Sequence, residues 1–186
     1  MENYRRPTSL LLEQRLQESV RRLIVVAGPR QVGKTTAVHQ TLRTKDLNSY
    51  RCHAVDAPDE RPQPRDYSLG GSDTLAFHSM HTEQIPRDTT WLVNRWQEGR
   101  EAAMKWRQQQ IERAMAMPPH AAPPEEPVPF VLVFDEIQHI ANWSTVVKGL
   151  WDQDRAQAMP MHVVVLGSAP LLMQRGLSES LMGRFD

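Results

Sequence analysis

The residues with the clearest chemical potential form a glycine-rich stretch near the start of the chain. It contains a G-x-x-x-x-G-K-[ST] pattern and consists of Gly28, Pro29, Arg30, Gln31, Val32, Gly33, Lys34, Thr35 and Thr36. Glycines allow backbone amides to turn inward around a phosphate, and a helix N-terminus adds partial positive charge. Lys34 is then expected to bridge the β- and γ-phosphates, and the Thr35 hydroxyl to ligate Mg²⁺. The other interpretation, an ordinary glycine turn, is disfavoured because a predicted buried strand precedes the pattern and a predicted helix follows it.

Two adjacent carboxylates, Asp135 and Glu136, end an apolar run over 131–134. This places both acids at the carboxyl end of a predicted central strand, where ligands bind in open α/β sheets. Asp135 is expected to hold the Mg²⁺ shell, and Glu136 to orient or deprotonate a water that attacks the γ-phosphate. Alone, such a pair is equally typical of an acidic turn. Downstream of a phosphate-binding loop it favours nucleotide hydrolysis over phosphoryl transfer to another substrate.

Two further polar residues are weaker candidates. Ser168 follows an apolar run over 163–166 and is placed to sense the γ-phosphate through a hydrogen bond, or else marks a simple strand-to-turn transition. Arg184 is a candidate arginine finger, or else a solvated charge.

Other suggestive groups have simpler interpretations. A histidine and cysteine set has irregular spacing for zinc: Cys52, His53, His78 and His81. A tryptophan set interleaved with charges could stack on a nucleic acid, but packing of a helix onto the sheet is favoured: Trp91, Trp96 and Trp106.

The elements that must position these residues alternate between strands and helices. Strands are predicted at 23–27, 50–55, 130–134 and 162–166. Helices are predicted at 8–22, 34–43, 89–117 and 143–156, with Thr8 or Ser9 capping the first and Asn142 the last, and helical turns after Pro170. Irregular, insert-like zones are predicted at about 57–89 and 118–129. The alternation predicts parallel βαβ units in an α/β sheet.

The whole composition fits one domain over 1–186. Lys plus Arg number 22 and Asp plus Glu number 22, so a zero net charge gives no support to non-specific binding of nucleic acid or anionic membrane. No apolar run approaches the roughly 20 residues of a membrane-spanning helix, so no membrane insertion is expected. The start carries no apolar signal-peptide core, and a single cysteine cannot form an internal disulfide, which favours a reducing, cytoplasmic setting.

At these residues the chain resembles the AAA-type predicted ATPases of bacteria and archaea, whose N-terminal half is the AAA_14 domain. The tracts that carry the resemblance are G-P-R-Q-V-G-K-T-T from Gly28, Y-R-C-H-A-V-D-A-P from Tyr50, F-D-E-I-Q from Phe134, N-W-S-T-V-V-K-G-L-W-D from Asn142, L-G-S-A-P-L-L from Leu166 and L-S-E-S-L-M-G-R-F from Leu177. They span nearly the whole chain, although the two irregular zones match poorly.

The resemblance implies a P-loop NTPase of AAA-like architecture, a three-layer sandwich with a mostly parallel central sheet. It implies binding of ATP and Mg²⁺ and hydrolysis that drives a conformational change, with Lys34, Thr35, Asp135 and Glu136 in the usual Walker roles. Ser168 is then a sensor-like residue and Arg184 an arginine finger. The resemblance names no protein or DNA partner and leaves oligomerisation open.

Two departures from the family pattern stand out. The irregular zones separate Lys34 from Asp135 by more sequence than is usual. The sequence also ends where family members continue into a helical lid and a C-terminal domain, so we expect either a natural short form that lacks both or a fragment of a longer protein. Two alternatives stay open: a small-molecule P-loop kinase, and a nucleotide-gated binding module with negligible turnover.

Overall fold

A computed structural model describes residues 5–20, 22–56, 87–116 and 128–168. Most of the two irregular zones, the turns after Pro170 and Arg184 lie outside these ranges. The described helices are α1 (Pro7–Arg15), α2 (Lys34–Leu42), α3 (Thr89–Met115) and α4 (Trp143–Ala156). The described strands are β1 (Ile24–Ala27), β2 (Tyr50–Ala54), β3 (Phe130–Asp135) and β4 (Met161–Gly167), and short 3-10 turns occupy Leu47–Ser49 and Ile137–His139.

The four described strands form one parallel sheet in the order β1-β4-β3-β2. β4 therefore lies between β1 and β3, with Ile24 opposite Val164 and Val133 opposite the same residue on the other side. All four carboxyl ends lie along one edge, which we call the carboxyl edge. This arrangement confirms the predicted α/β class with its mostly parallel sheet.

The sheet separates two hydrophobic cores, and the period-two alternation of its strands supplies both. Along β3, Phe130, Leu132 and Phe134 enter the core with α3 and α4, whereas Val131 and Val133 enter the core with α1 and α2. β4 alternates in the same way. Both strands are buried on both faces, and their centres, residues 130–134 of β3 and 163–166 of β4, are continuous apolar runs, as a covered parallel sheet requires. The described part of the chain is thus a three-layer sandwich.

The tryptophans of α3 pack the helix onto the sheet. The Trp96 ring stacks on Phe134 with centroids 5.9 Å apart, and its Nε1 donates to Asp154 Oδ2 at 2.8 Å. Arg100 Nε donates to Asp154 Oδ1 at 2.7 Å, so one buried carboxylate joins α3 to α4. Burial raises the pKa of Asp154 although both donors oppose that rise. The packing interpretation of the tryptophans is therefore supported at Trp96.

Two local predictions, both about α1, differ from the structure. α1 ends at Arg15 rather than near residue 22, since the Gln17 and Glu18 amides bond three residues back, to Gln14 O and Arg15 O, as a tighter turn. Its N-cap is Arg6, not Thr8 or Ser9, and that cap makes no side-chain hydrogen bond. Asn142 is the N-cap of α4, as predicted, although its φ is 57° and its side chain makes no capping hydrogen bond.

No described helix is both long and apolar enough to cross a membrane.

Candidate phosphate-binding site

The glycine-rich loop runs from the end of β1 to the start of α2 at the carboxyl edge. Gly33 is the N-cap of α2 with φ 86°, a left-handed conformation that side-chain-bearing residues rarely adopt. Gln31 also has a positive φ of 63°. The Gly28 amide donates to Gly167 O at 3.3 Å, which ties the loop to the end of β4. The loop therefore has the tight backbone that a ring of inward amides requires.

Lys34 is nearly buried within this loop, with 9% of its surface exposed. Its Nζ donates to Gly28 O at 2.9 Å and to Pro29 O at 2.8 Å. These carbonyls hold the ammonium at the centre of the loop rather than in solvent. The lysine is thus positioned where phosphate oxygens could replace the carbonyls as acceptors.

Thr35 and Asp135 meet although 100 residues separate them in sequence. The Thr35 hydroxyl donates to Asp135 Oδ2 at 2.6 Å, because the first turn of α2 lies beside the end of β3. A hydroxyl and a carboxylate oxygen are hard ligands of the kind Mg²⁺ prefers, and Mg²⁺ typically takes only one or two protein ligands beside phosphates and water. The donor set therefore fits Mg²⁺. Among the described residues, no group of three or more His, Cys, Asp or Glu side chains could hold a metal.

Glu136 lies just past β3 with φ 55° and ψ 38°, so its backbone turns sharply away from the strand. Its Oε2 accepts hydrogen bonds from Ser168 Oγ and Gln138 Nε2. Burial raises the pKa of Glu136, but these two donors and the charges of Lys34 and His139 outweigh it, so the pKa lies below its usual value. The side chain is therefore an ionised carboxylate at neutral pH.

Ser168 connects three of the site's side chains at the end of β4. Besides donating to Glu136, its Oγ accepts from Arg30 Nε at 3.3 Å and lies 3.4 Å from Gln138 Nε2. The loop, the turn at Asp135 and Glu136 (the acidic turn) and β4 are thereby linked through the hydroxyl of Ser168, a residue that is 7% exposed.

The structure brings together most, but not all, of the residues singled out by sequence. The members that make specific contacts here are Gly28, Pro29, Arg30, Gly33, Lys34, Thr35, Asp135, Glu136 and Ser168. Gln31, Val32 and Thr36 belong to the loop but are exposed, and Arg184 lies outside the described residues. The sequence reasoning gave no role to Gln138 or to Arg6, whose guanidinium lies against Gly33. Gln138 stood inside the recognised F-D-E-I-Q tract, which is the signal that could have identified it.

Comparison with known structures supports this arrangement at the level of the fold. The chain is similar to the Walker-type ATPase PABY2304 of Pyrococcus abyssi, with a TM-score of 0.53 and 16% sequence identity. The match covers 97% of this chain and 51% of that protein, so the chain spans about half the length of this relative. No curated protein sequence matches the chain.

The model of the AAA domain named AAA_14 matches residues 74–186, more than half of the chain, and includes the acidic turn and Ser168. The glycine-rich loop lies outside that match, yet its bond to Asp135 joins it to the matched part. The chain belongs to the AAA_14 family of AAA-type P-loop ATPases.

Proposed function

We propose that this chain binds Mg-ATP at the carboxyl edge of its sheet and hydrolyses it to drive a conformational change. The observation that carries the proposal is the 2.6 Å contact between the Thr35 hydroxyl and the Asp135 carboxylate. Two motifs that sequence assigns to one Mg²⁺ site are adjacent in space, beside a lysine enclosed by the loop. A chance glycine turn would have no reason to meet an acidic strand end in this way.

Each side chain has a separate task in the proposed reaction. Lys34 exchanges the carbonyls of Gly28 and Pro29 for phosphate oxygens, while the loop amides surround the β-phosphate. Thr35 and Asp135 would hold Mg²⁺, which neutralises charge on the phosphates when bound.

Glu136 is proposed as the residue that orients a water and accepts its proton. Its lowered pKa keeps it ionised, as a proton acceptor must be before the reaction. Ser168 and Gln138 fix the carboxylate beside the loop, so the base is already oriented before the water is positioned.

The direct test is calorimetric titration with ATP in the presence and absence of magnesium, followed by an assay of phosphate release without an added acceptor. We expect wild type to bind only with magnesium, Lys34→Ala to lose most of that affinity, and Glu136→Gln to bind ATP but release phosphate at least about a hundredfold more slowly. Lys105→Ala is the matched control, because Lys105 is exposed on α3, across the sheet from α2.

The outcomes separate the alternatives. Absence of magnesium-dependent binding in wild type would contradict the proposal. Transfer of phosphate to a metabolite without release would favour a kinase, and ATP retained unhydrolysed would favour a nucleotide-gated binding module. A cytoplasmic location, where ATP is supplied, belongs to the same proposal.

Arg184 remains a proposed arginine finger on sequence grounds. Such a residue contributes charge to the transition state, so Arg184→Ala should slow phosphate release while leaving ATP affinity nearly unchanged. If release in wild type rises more than linearly with protein concentration, the arginine acts on a neighbouring copy, which would also establish oligomerisation.

A further inference from the structure

The Arg6 side chain lies against Gly33, the glycine of the phosphate-binding loop whose backbone has a left-handed conformation. A Cβ built on Gly33 would stand 2.7 Å from Arg6 Cζ, 2.9 Å from Nη1 and 3.1 Å from Nε. The guanidinium therefore fills the position that a side chain at Gly33 would occupy. Since Gly33 begins α2, this cation lies at the same helix N-terminus whose amides are proposed to hold phosphate.

The backbone of Arg6 is held in place by the packing of α1 on α2. Its amide donates to Gln40 Oε1 at 3.5 Å, and its carbonyl accepts from the Ser9 and Leu10 amides of α1. Thr41 Oγ1 of α2 donates to Ser9 O at 3.0 Å, which joins the two helices one turn further on. The backbone from which the Arg6 side chain extends is therefore already ordered, so ligand binding need not order that part of the chain.

The charge of Arg6 is not used elsewhere in the described part of the chain. No described carboxylate pairs with its guanidinium, whereas the neighbouring Arg5 pairs with Glu13 at 2.5 Å. A guanidinium offers five N–H donors in a planar fork that matches phosphate geometry. Two adjacent arginines therefore have different surroundings: one is neutralised on the surface of α1, and the other faces the loop.

We propose that Arg6 donates hydrogen bonds to the β-phosphate side of the bound nucleotide, as a binding residue supplied by α1 from outside the glycine-rich loop. This inference rests on the proposed function. Because the loop amides surround the β-phosphate and Arg6 lies on one of the loop residues, the contact should be shared by nucleoside triphosphates and diphosphates.

The experiment is calorimetric titration of the full chain with Mg-ATP and Mg-ADP, comparing Arg6→Gln with Arg5→Gln. The two variants lose the same charge at adjacent positions. We expect Arg6→Gln to weaken both nucleotides about tenfold, as loss of one charge-assisted hydrogen bond does, and Arg5→Gln to change affinity less than about twofold. Thermal unfolding of each variant checks that α1 remains packed. If Arg6→Gln does not fold, Arg6→Lys takes its place. That variant keeps the charge but not the planar fork of donors, so its affinity for both nucleotides should be several-fold weaker than that of wild type.

The results distinguish this inference from the proposed function. If wild type binds, Lys34→Ala does not, and the Arg6 variants equal wild type, the Arg6 assignment alone is overturned. Tighter binding in Arg6→Gln would also overturn it, because the guanidinium would then be an obstacle to the nucleotide. A loss confined to ATP would refute the β-phosphate placement. If wild type binds neither nucleotide, the proposed function itself fails.

Discussion

Glu136 combines partial burial, a left-handed backbone and two neutral hydrogen-bond donors in one residue. Burial alone would favour a protonated carboxyl, and the donors together with Lys34 and His139 reverse that preference. The protonation state of the proposed base is therefore set by side chains from the acidic turn, the loop and β4. Replacing any one of those side chains should therefore shift the pKa of Glu136.

Ser168→Ala should raise the pKa of Glu136, because it removes the hydrogen bond that most strongly favours the charged form. The measurement is the ¹³C chemical shift of the Glu136 carboxyl as a function of pH in nucleotide-free protein. If hydrolysis depends on the ionised base, the acidic limb of the phosphate-release profile should move to higher pH as well. Ser144→Ala removes another buried hydroxyl, on α4, and is the control. An unchanged Glu136 titration in Ser168→Ala would contradict the assignment.

The site residues differ in how far sequence could predict them. Lys34 and Thr35 are specified by their neighbours in a continuous motif, as are Asp135 and Glu136, so their grouping needed only the assumption of a parallel sheet. Arg6 could not be predicted as a neighbour of Gly33. Its contact spans 27 residues and depends on how α1 crosses α2, which no local pattern records.

At the scale of elements, the sequence predicted which helices and strands exist more accurately than it predicted the residues at which they begin and end. α4 has the predicted bounds because its apolar face is regular and strands flank it closely on either side. α1 stops seven residues early, although Leu16 continues its apolar spacing and no Gly or Pro intervenes. Leu16 is buried against the sheet, so the chain turns there to enter β1, and tertiary packing overrides helix propensity.

Two helical glycines provide a test of how closely the elements pack. A Cβ on Gly149 of α4 would meet nothing within 4 Å, whereas a Cβ on Gly99 of α3 would stand 2.8 Å from Leu132 Cδ2 in the core. Gly149→Ala should stabilise the protein by about 0.5–1 kcal/mol through helix propensity and chain entropy. Gly99→Ala should destabilise it by about 1–2 kcal/mol through overpacking. Denaturant unfolding measures both free energies, and equal changes in the two variants would contradict the close approach of α3 to β3.

At the scale of the whole molecule, the candidate site lies at the carboxyl edge of the sheet, and a buried titratable side chain lies near the opposite, amino edge. His162 is the second residue of β4, 2% exposed, on the face that carries Val164 towards α1 and α2. Burial lowers its pKa to about 4, the charge of Lys45 adds to that effect, and backbone contacts with Glu18 and Leu16 only partly oppose it. The histidine is therefore neutral in the folded protein over a range where the unfolded chain binds a proton.

This difference predicts an acid-dependent loss of stability. Between the ordinary histidine pKa near 6.5 and about 4, the unfolded state binds more protons, so the free energy of unfolding should fall as pH falls, by about 3 kcal/mol in all. His162→Leu, which keeps an apolar side chain of similar size, should remove this contribution and flatten the curve over that range. His39→Gln, on the exposed side of α2, is the control. Stability curves of wild type and His162→Leu that run parallel from pH 7 to 4 would contradict the buried neutral state.

The long helix α3 runs from one edge of the sheet to the other, so the two irregular zones that flank it in sequence connect to opposite edges. Its 27 residues extend roughly 40 Å, from Trp91 beside His53 near the end of β2 to Arg113, which pairs with Asp46 before β2 begins. The described residues that flank 57–86 therefore lie at the carboxyl edge, and those that flank 117–127 lie at the amino edge. The first zone thus begins and ends beside the candidate phosphate-binding site, whereas the second begins and ends at the opposite edge, where we expect an engineered label or a fused partner to leave nucleotide binding unchanged.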